Sequence, residues 1–124
     1  MYHDSTQRQT LQTIREVKPG SFIFLQENAL PIDVCREMIR RFEAHPEDQY
    51  QGRIGQDIHE NTSIKKSTDI VVSDKAHWKD IHQALFRSLG AAFKEFGATY
   101  PFFRGPVNDV GYAIQRTNEG EYYH

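Results

Sequence analysis

Residues 68–97 decide the fold, and they read TDIVVSDKAHWKDIHQALFRSLGAAFKEFG. The first five, Thr68 to Val72, include β-branched apolar residues that predict a strand. A helix is predicted next, because apolar side chains recur on one face for about five turns. Those positions are Trp78, Ile81, Leu85, Leu89, Ala92, Phe93 and Phe96. Ser73 or Asp74 is a suitable N-cap and Gly97 a suitable end. A strand that leads into a long amphipathic helix indicates a mixed α and β domain.

A shorter amphipathic helix is predicted upstream, between Pro31 and His45. Pro31 suits the first helical turn because its missing N–H would have no partner there. The apolar stripe comprises Val34, Cys35, Met38, Ile39 and Phe42. Because Cys35 lies within that stripe, we interpret it as a small buried hydrophobe of the core rather than as a reactive thiol.

The N-terminal residues 1–18 are mostly polar and are interpreted as an arm or a frayed helix. Leu11, Ile14 and Val17 recur every three residues and form a weak helical stripe. The remaining residues, 19–124, form the single domain that the length allows. It begins with a short aromatic run at Ser21–Leu25, which predicts a buried strand.

Two stretches complete the pattern of elements. Residues from Gln49 to Lys66, within the polar stretch 47–66, contain few apolar side chains and predict a long surface loop, a kind of loop that is often functional. Val110, Tyr112 and Ile114 alternate with other residues and predict a strand within 107–116. After a turn at residues 117–120, only four residues remain, which are too few for another strand and its return, so we expect the pattern to end within an element.

Composition excludes several classes of function. The chain has 124 residues, with 15 Lys and Arg against 17 Asp and Glu, so its formal net charge is −2. No basic field is present to hold nucleic acid, and no apolar run approaches the roughly 20 residues that cross a bilayer. Without a recognisable targeting segment, a cytoplasmic location is the default expectation. One cysteine excludes an internal disulfide.

The C-terminal run Tyr112 to His124, YAIQRTNEGEYYH, completes a resemblance. With the strand and long helix before it, this run resembles the N-terminal half of an Fe(II) and 2-oxoglutarate-dependent dioxygenase of the prolyl 4-hydroxylase-like group. In that family a Gly followed three residues later by a Tyr leads, three residues further on, into a His-x-Asp iron motif. Gly120 and Tyr123 match the first two marks, and the iron His would be the second residue after His124. Thr117 departs from the family, which often has a 2-oxoglutarate-pocket Tyr there.

The resemblance implies a fold and an activity. The fold would be α+β, with helices packed on the first strands of an incomplete double-stranded β-helix, or jelly roll. The activity would be hydroxylation of a small-molecule or protein substrate coupled to 2-oxoglutarate decarboxylation, with Tyr123 lining the substrate pocket. Fe(II) and 2-oxoglutarate are the expected cofactors of a complete member. A 2-His-1-carboxylate set would hold the iron, but all three ligands are absent from this chain, so we expect neither tight cofactor binding nor catalysis.

Two further expectations follow. An unfinished sheet would leave unpaired backbone groups along residues 107–116, which predicts marginal stability, aggregation or a homo-oligomer formed through the open edge. The alternative function, from a different class, is a small α+β protein-interaction module without catalysis that binds a partner through the loop Gln49–Lys66.

Other candidate ligands are assigned no metal. Asp57 and His59 with Glu60 lie in a polar loop, where solvated side chains are the simpler interpretation. His77 and His82 are five residues apart, whereas two ligands on one helix face need a spacing of three or four. No catalytic residue and no metal ligand is therefore predicted within the chain, and Trp78 is assigned to the core rather than to base stacking.

Overall fold

A computed structural model describes residues 14–55, 59–106 and 108–124. Its helices are α1 (Ile32–Ala44) and α2 (Lys79–Thr99), with short 3-10 turns at Pro46–Asp48, Ala76–Trp78 and Pro101–Phe103. Its strands are β1 (Arg15–Glu16), β2 (Phe24–Leu25), β3 (Tyr50–Gln51), β4 (Lys65–Lys66), β5 (Thr68–Val71), β6 (Ala113–Arg116) and β7 (Tyr122–Tyr123). The α+β class is therefore confirmed. No helix in the described ranges is long and apolar enough to cross a membrane.

The central sheet is antiparallel and has the order β3-β5-β6. Asp69 on β5 lies between Tyr50 of β3 and Gln115 of β6. A second antiparallel ladder pairs β4 with β7, and Lys65 lies opposite Tyr123. Ser67 alone separates β4 from β5, so the two ladders lie along one continuous stretch of chain. On the opposite side, a turn between β6 and β7 lies across from Ser67. None of these small sheets closes on itself.

The hydrophobic core lies between the central sheet and the two helices. It comprises Phe42, Ile70, Val72, Trp78 and Ile81, each at most 3% exposed. Val34, Met38, Leu85, Tyr112 and Ile114 pack around this cluster. The predicted helix after Pro31, the strand at 68–72 and the long helix are thereby confirmed.

The helical interpretation of the N-terminal segment is wrong where the structure describes it. Arg15–Glu16 is a strand that pairs with Phe24–Leu25; Leu11 lies outside the described residues. The predicted buried strand is also reduced to its last two residues, and Phe22 and Ile23 are 77% and 61% exposed. Phe22 and Ile23 therefore lie in a surface hairpin, while the Phe24 ring packs edge-on against Phe96 of α2 and against Tyr100, just after α2.

The long helix differs from its prediction at both ends. Neither Ser73 nor Asp74 caps it: the 3-10 turn Ala76–Trp78 precedes Lys79, and no side chain caps that start. The Ser73 hydroxyl instead accepts a hydrogen bond from the Tyr112 backbone N–H. Only the first turns of α2 reach the core, and Leu89 and Phe93 remain 40% and 37% exposed.

Two further predictions need correction. Cys35 is partly buried but lies outside the cluster of buried core residues. The polar stretch 47–66 is not one loop, because it contributes β3 and β4 to the sheets. The last four residues hold the short strand β7, which pairs with β4.

Candidate functional site

The candidate site is the face of β4–β5 that points away from the hydrophobic core. Successive strand side chains point to opposite sides, so Ile70 and Val72 enter the core while Asp69 lies on the other side. Lys65, Ser67 and Asp69 are 3%, 3% and 2% exposed. We call these three residues the polar face. Burial of two charged side chains is uncommon and requires that each has partners.

The polar face is a closed hydrogen-bonded network. Lys65 Nζ donates to Asp69 Oδ2 at 2.9 Å, and Ser67 Oγ donates to Asp69 Oδ1 at 2.8 Å. Each carboxylate oxygen therefore has a donor, and the ammonium and carboxylate charges cancel. Such a pair is stable only while both members are present, because either charge alone would be buried without compensation.

Two tyrosines border the polar face. Tyr50 lies opposite Asp69 on β3, and burial, together with the Asp69 charge, raises the pKa of the Tyr50 phenol. The Arg53 guanidinium carbon lies 4.6 Å from the centroid of the Tyr50 ring. Tyr123 lies opposite Lys65, whose Nζ is 5.0 Å from the Tyr123 ring centroid. Both contacts are at the distance of a cation–π interaction.

A glycine lets the chain cover this network. The Gly52 N–H donates to the Ser67 carbonyl at 2.9 Å, and Gly52 is buried. A Cβ at Gly52 would overlap Ser67 Oγ and lie 2.8 Å from Lys65 Cε. The segment after β3 therefore packs against the polar face only because residue 52 has no side chain.

The predicted pocket residue Tyr123 lies at the end of this site. It is 61% exposed, with one ring face near Lys65. Gly120, with φ of +85°, forms the turn that returns the chain to β4. His124 continues the ladder through its N–H, which donates to the Ile64 carbonyl at 2.7 Å, and its imidazole is exposed. The role of Tyr123 in a substrate pocket stays a prediction.

The other histidine candidates separate in space. Asp57 lies outside the described residues, and His59 is exposed and bridged to Ile54 through the backbone. The His82 ring lies 5.2 Å from the Tyr112 ring. His77 Nε2 instead lies 2.6 Å from Asp48 Oδ2.

His77 belongs to a cluster that sequence reasoning missed. His45, Asp48 and His77 each bring a potential ligand atom within 4.8 Å of the others. The spacing of His45 and Asp48 at the end of α1 was a usable signal, since one turn of chain brings such side chains together. His77 is 29 residues further on from Asp48 and joins them only through tertiary packing.

An apolar groove follows the outer part of α2. Its volume is about 670 Å³, and its lining includes Phe86, Leu89, Phe93, Phe103 and Tyr112. Phe86 and Phe103 are 54% and 50% exposed. The groove thus presents aromatic and aliphatic surface that the described residues do not cover.

The chain matches no family model, and searches of curated proteins and of solved structures find no significant relative. Function must therefore be argued from the site. The polar face is enclosed and its charges are neutralised, which suits a structural role better than acid–base chemistry. The groove and the His–Asp cluster, in contrast, have accessible surface.

Proposed function

We propose that the chain is the N-terminal portion of a non-haem Fe(II) and 2-oxoglutarate-dependent oxygenase. In this proposal it supplies the helices and first strands of a double-stranded β-helix, and the chain itself is not catalytic. The resemblance at Gly120 and Tyr123 motivates the proposal. β6 leads into that motif through the turn, and β7 carries Tyr123.

The observation that carries the proposal is the unfinished edge of the central sheet. β6 pairs with β5 on one side and is the last strand of its sheet within the described residues. Tyr112, immediately before β6, lines the apolar groove of α2. Strands added beyond β6 would extend the sheet and bury Leu89 and Phe93, as the helix layer of a jelly roll requires. An uncovered edge beside exposed apolar surface is what an incomplete sheet leaves.

The described residues of the polar face do not themselves fit iron or 2-oxoglutarate. Both oxygens of Asp69 already accept hydrogen bonds, and the Lys65 ammonium is engaged by that carboxylate. The proposal therefore places the iron ligands after His124 and gives the polar face a supporting role. Under it, the Lys65 ammonium holds the ring of Tyr123, the predicted substrate-pocket residue, through their cation–π contact.

The test begins with the source gene beyond the codon for His124. We expect an x-His-x-Asp continuation and a distal histidine. The protein extended through that histidine should then show a charge-transfer absorption when Fe(II) and 2-oxoglutarate are added without oxygen, and the chain ending at His124 should not. A stop codon directly after His124, or an extended protein without the absorption, would refute the proposal.

A second candidate is a protein-interaction module, and the exposed groove is the observation that favours it. The stretch Gln49–Lys66 is partly built into the sheets, so the groove is the better surface for a partner. If this surface or the β6 edge drives self-association, light scattering will show dimers or larger species. Leu89→Lys should then shift the chain toward monomer, whereas Lys79→Ala, also on α2, should not.

A further inference from the structure

The structure brings two imidazoles and one carboxylate together at the junction of α1 and α2. His45 directly follows α1, Asp48 ends the next 3-10 turn, and His77 lies in the 3-10 turn that precedes α2. Their potential ligand atoms lie within 4.8 Å of one another. We propose that His45, Asp48 and His77 form a binding site for a divalent transition-metal ion, with Zn²⁺ as the best match. This site is separate from the polar face and from the proposed oxygenase iron.

The donor set suits such an ion. Imidazole nitrogen and carboxylate oxygen bind Zn²⁺ at about 2.0–2.2 Å, and three protein ligands with one open position are typical of accessible zinc sites. Copper(II) and nickel(II) also accept this set, whereas Mg²⁺ and Ca²⁺ prefer oxygen ligands alone. The proposed class is therefore a borderline transition metal rather than an alkaline-earth ion.

The partner of each ligand supports the site. His45 Nδ1 lies 2.7 Å from Glu47 Oε2, and a carboxylate on one imidazole nitrogen fixes the ring for a metal at the other. The Trp78 indole N–H donates to Asp48 Oδ2 at 3.3 Å, and Trp78 is fully buried. Two of the three ligands are thus held by groups that would remain in place when a metal binds.

The contact between His77 and Asp48 lies at the proposed metal position. His77 Nε2 and Asp48 Oδ2 are 2.6 Å apart, which is a hydrogen-bond distance. Two donors around a tetrahedral Zn²⁺ are about 3.3 Å apart, so metal binding requires them to separate by less than 1 Å. The His77 side chain is 49% exposed and the His45 side chain 34%, so both can move and a metal can enter from solvent.

Charged groups around the site both favour and oppose a bound cation. The surroundings of Asp48 favour its anionic form, because His77 and the Trp78 indole N–H both lie at hydrogen-bond distance from its Oδ2. Glu47 adds a second carboxylate through His45. Lys75 opposes the metal through its charge, and Arg41 contacts the His77 carbonyl at 3.2 Å. The ligand set therefore has to outweigh two nearby cations, which predicts moderate affinity.

The experiment is a titration of the chelator-treated chain with ZnCl₂ at pH 7.5, followed by calorimetry. A parallel titration with Co²⁺ reports coordination through its visible absorption. We expect one saturable site, with affinity reduced at least about tenfold in His77→Ala and in Asp48→Asn. Glu47→Gln, which removes only the partner of His45, should weaken binding by roughly tenfold. Asp48→Asn keeps an acceptor for the Trp78 indole, so circular dichroism should show an unchanged fold.

The matched controls are His59→Ala and His124→Ala, which remove exposed imidazoles elsewhere on the chain. Both should bind Zn²⁺ like the original chain. No saturable binding at millimolar Zn²⁺ would overturn the proposal. Binding that survives in both His77→Ala and Asp48→Asn would also overturn it, since the metal would then lie elsewhere.

Discussion

Both faces of the β4–β5 stretch hold buried side chains, but for different reasons. Ile70 and Val72 on one face have no exposed surface and pack with Trp78 against the helices. Lys65 and Asp69 on the other face are nearly as inaccessible, yet they are charged. Removal of apolar surface from water stabilises the first face without regard to direction. The second depends on hydrogen bonds of specific geometry.

This difference teaches how tolerant each face should be. An apolar side chain can be exchanged for another of similar volume at small cost, because the packing contacts are not directional. The polar face has no such freedom, since one lost partner leaves a buried charge. The faces should therefore respond differently to single and double substitutions.

The largest expected effect is on the apolar face. Trp78→Ala removes the largest fully buried side chain and should lower the free energy of unfolding by about 4 kcal/mol. Urea denaturation followed by circular dichroism measures this loss. Phe102→Ala is the control, because Phe102 is 89% exposed and should change stability by less than about 0.5 kcal/mol. Equal effects of the two substitutions would contradict the assignment of the core.

The next effect sharpens the comparison on the polar face. Asp69→Ala leaves the Lys65 ammonium buried without a carboxylate, and we expect a loss of about 3 kcal/mol in the free energy of unfolding. The double variant Lys65→Met/Asp69→Leu removes both charges and should recover most of that loss. If the double variant is less stable than Asp69→Ala, the unpaired Lys65 charge is not the reason for the loss of stability in Asp69→Ala.

A smaller effect is expected from the chain that covers the polar face. Gly52→Ala places a Cβ against Ser67 and Lys65, and this overpacking should cost about 2 kcal/mol. Gly90→Ala is the matched control, because nothing lies within 4 Å of a Cβ there. In the interior of α2 that change should instead stabilise by up to about 1 kcal/mol. Thermal unfolding of both variants gives the sign of each change.

The elements of this fold were predictable where one strong periodicity marked them. The α1 stripe ends at Phe42, which is buried as expected, and the α2 stripe correctly places Trp78 and Ile81 in the core. The same periodicity could not show that Leu89 and Phe93 stay exposed, because it indicates an apolar face but not what covers it. Short strands such as β3 were missed since two residues carry no period.

The candidate sites were less predictable than the elements. Lys65 and Asp69 are charged residues in a polar stretch, which normally indicates solvent exposure. Their burial depends on Gly52 and on the turn that brings Tyr123 back to β4. His45 and His77 meet only after α1 and α2 have packed. In each case the deciding contact is between segments far apart in the sequence, which local patterns do not specify.

The smallest expected effect is the pH dependence of an ion-pair network that fastens α1 to α2. Arg41 donates to Asp80 through two nitrogens at 2.7 and 2.6 Å and to Glu37 at 2.5 Å. Hydrogen bonds from Arg40 and Arg41 lower the pKa of Glu37 from 4.5 to about 2, and those from Arg41 lower the pKa of Asp80 from 3.8 to about 2. Unlike the polar face, this network is open to solvent, since the Asp80 side chain is 64% exposed.

Because both carboxyl pKa values are lower in the folded chain, the unfolded chain binds protons first as the pH falls. The network makes its full contribution to the free energy of unfolding above about pH 4.5, and this contribution is lost as the pH falls toward 2. Arg41→Met should therefore flatten the acid limb of a plot of melting temperature against pH between those values. Because solvent screens this network, the change in stability should be smaller than the losses expected from substitutions on the two buried faces. The control is Arg36→Met, a substitution at an exposed position on the same helix, which should leave the acid limb as steep as in the original chain. If both substitutions flatten the limb equally, the overall charge of the protein sets the pH dependence, and this network does not.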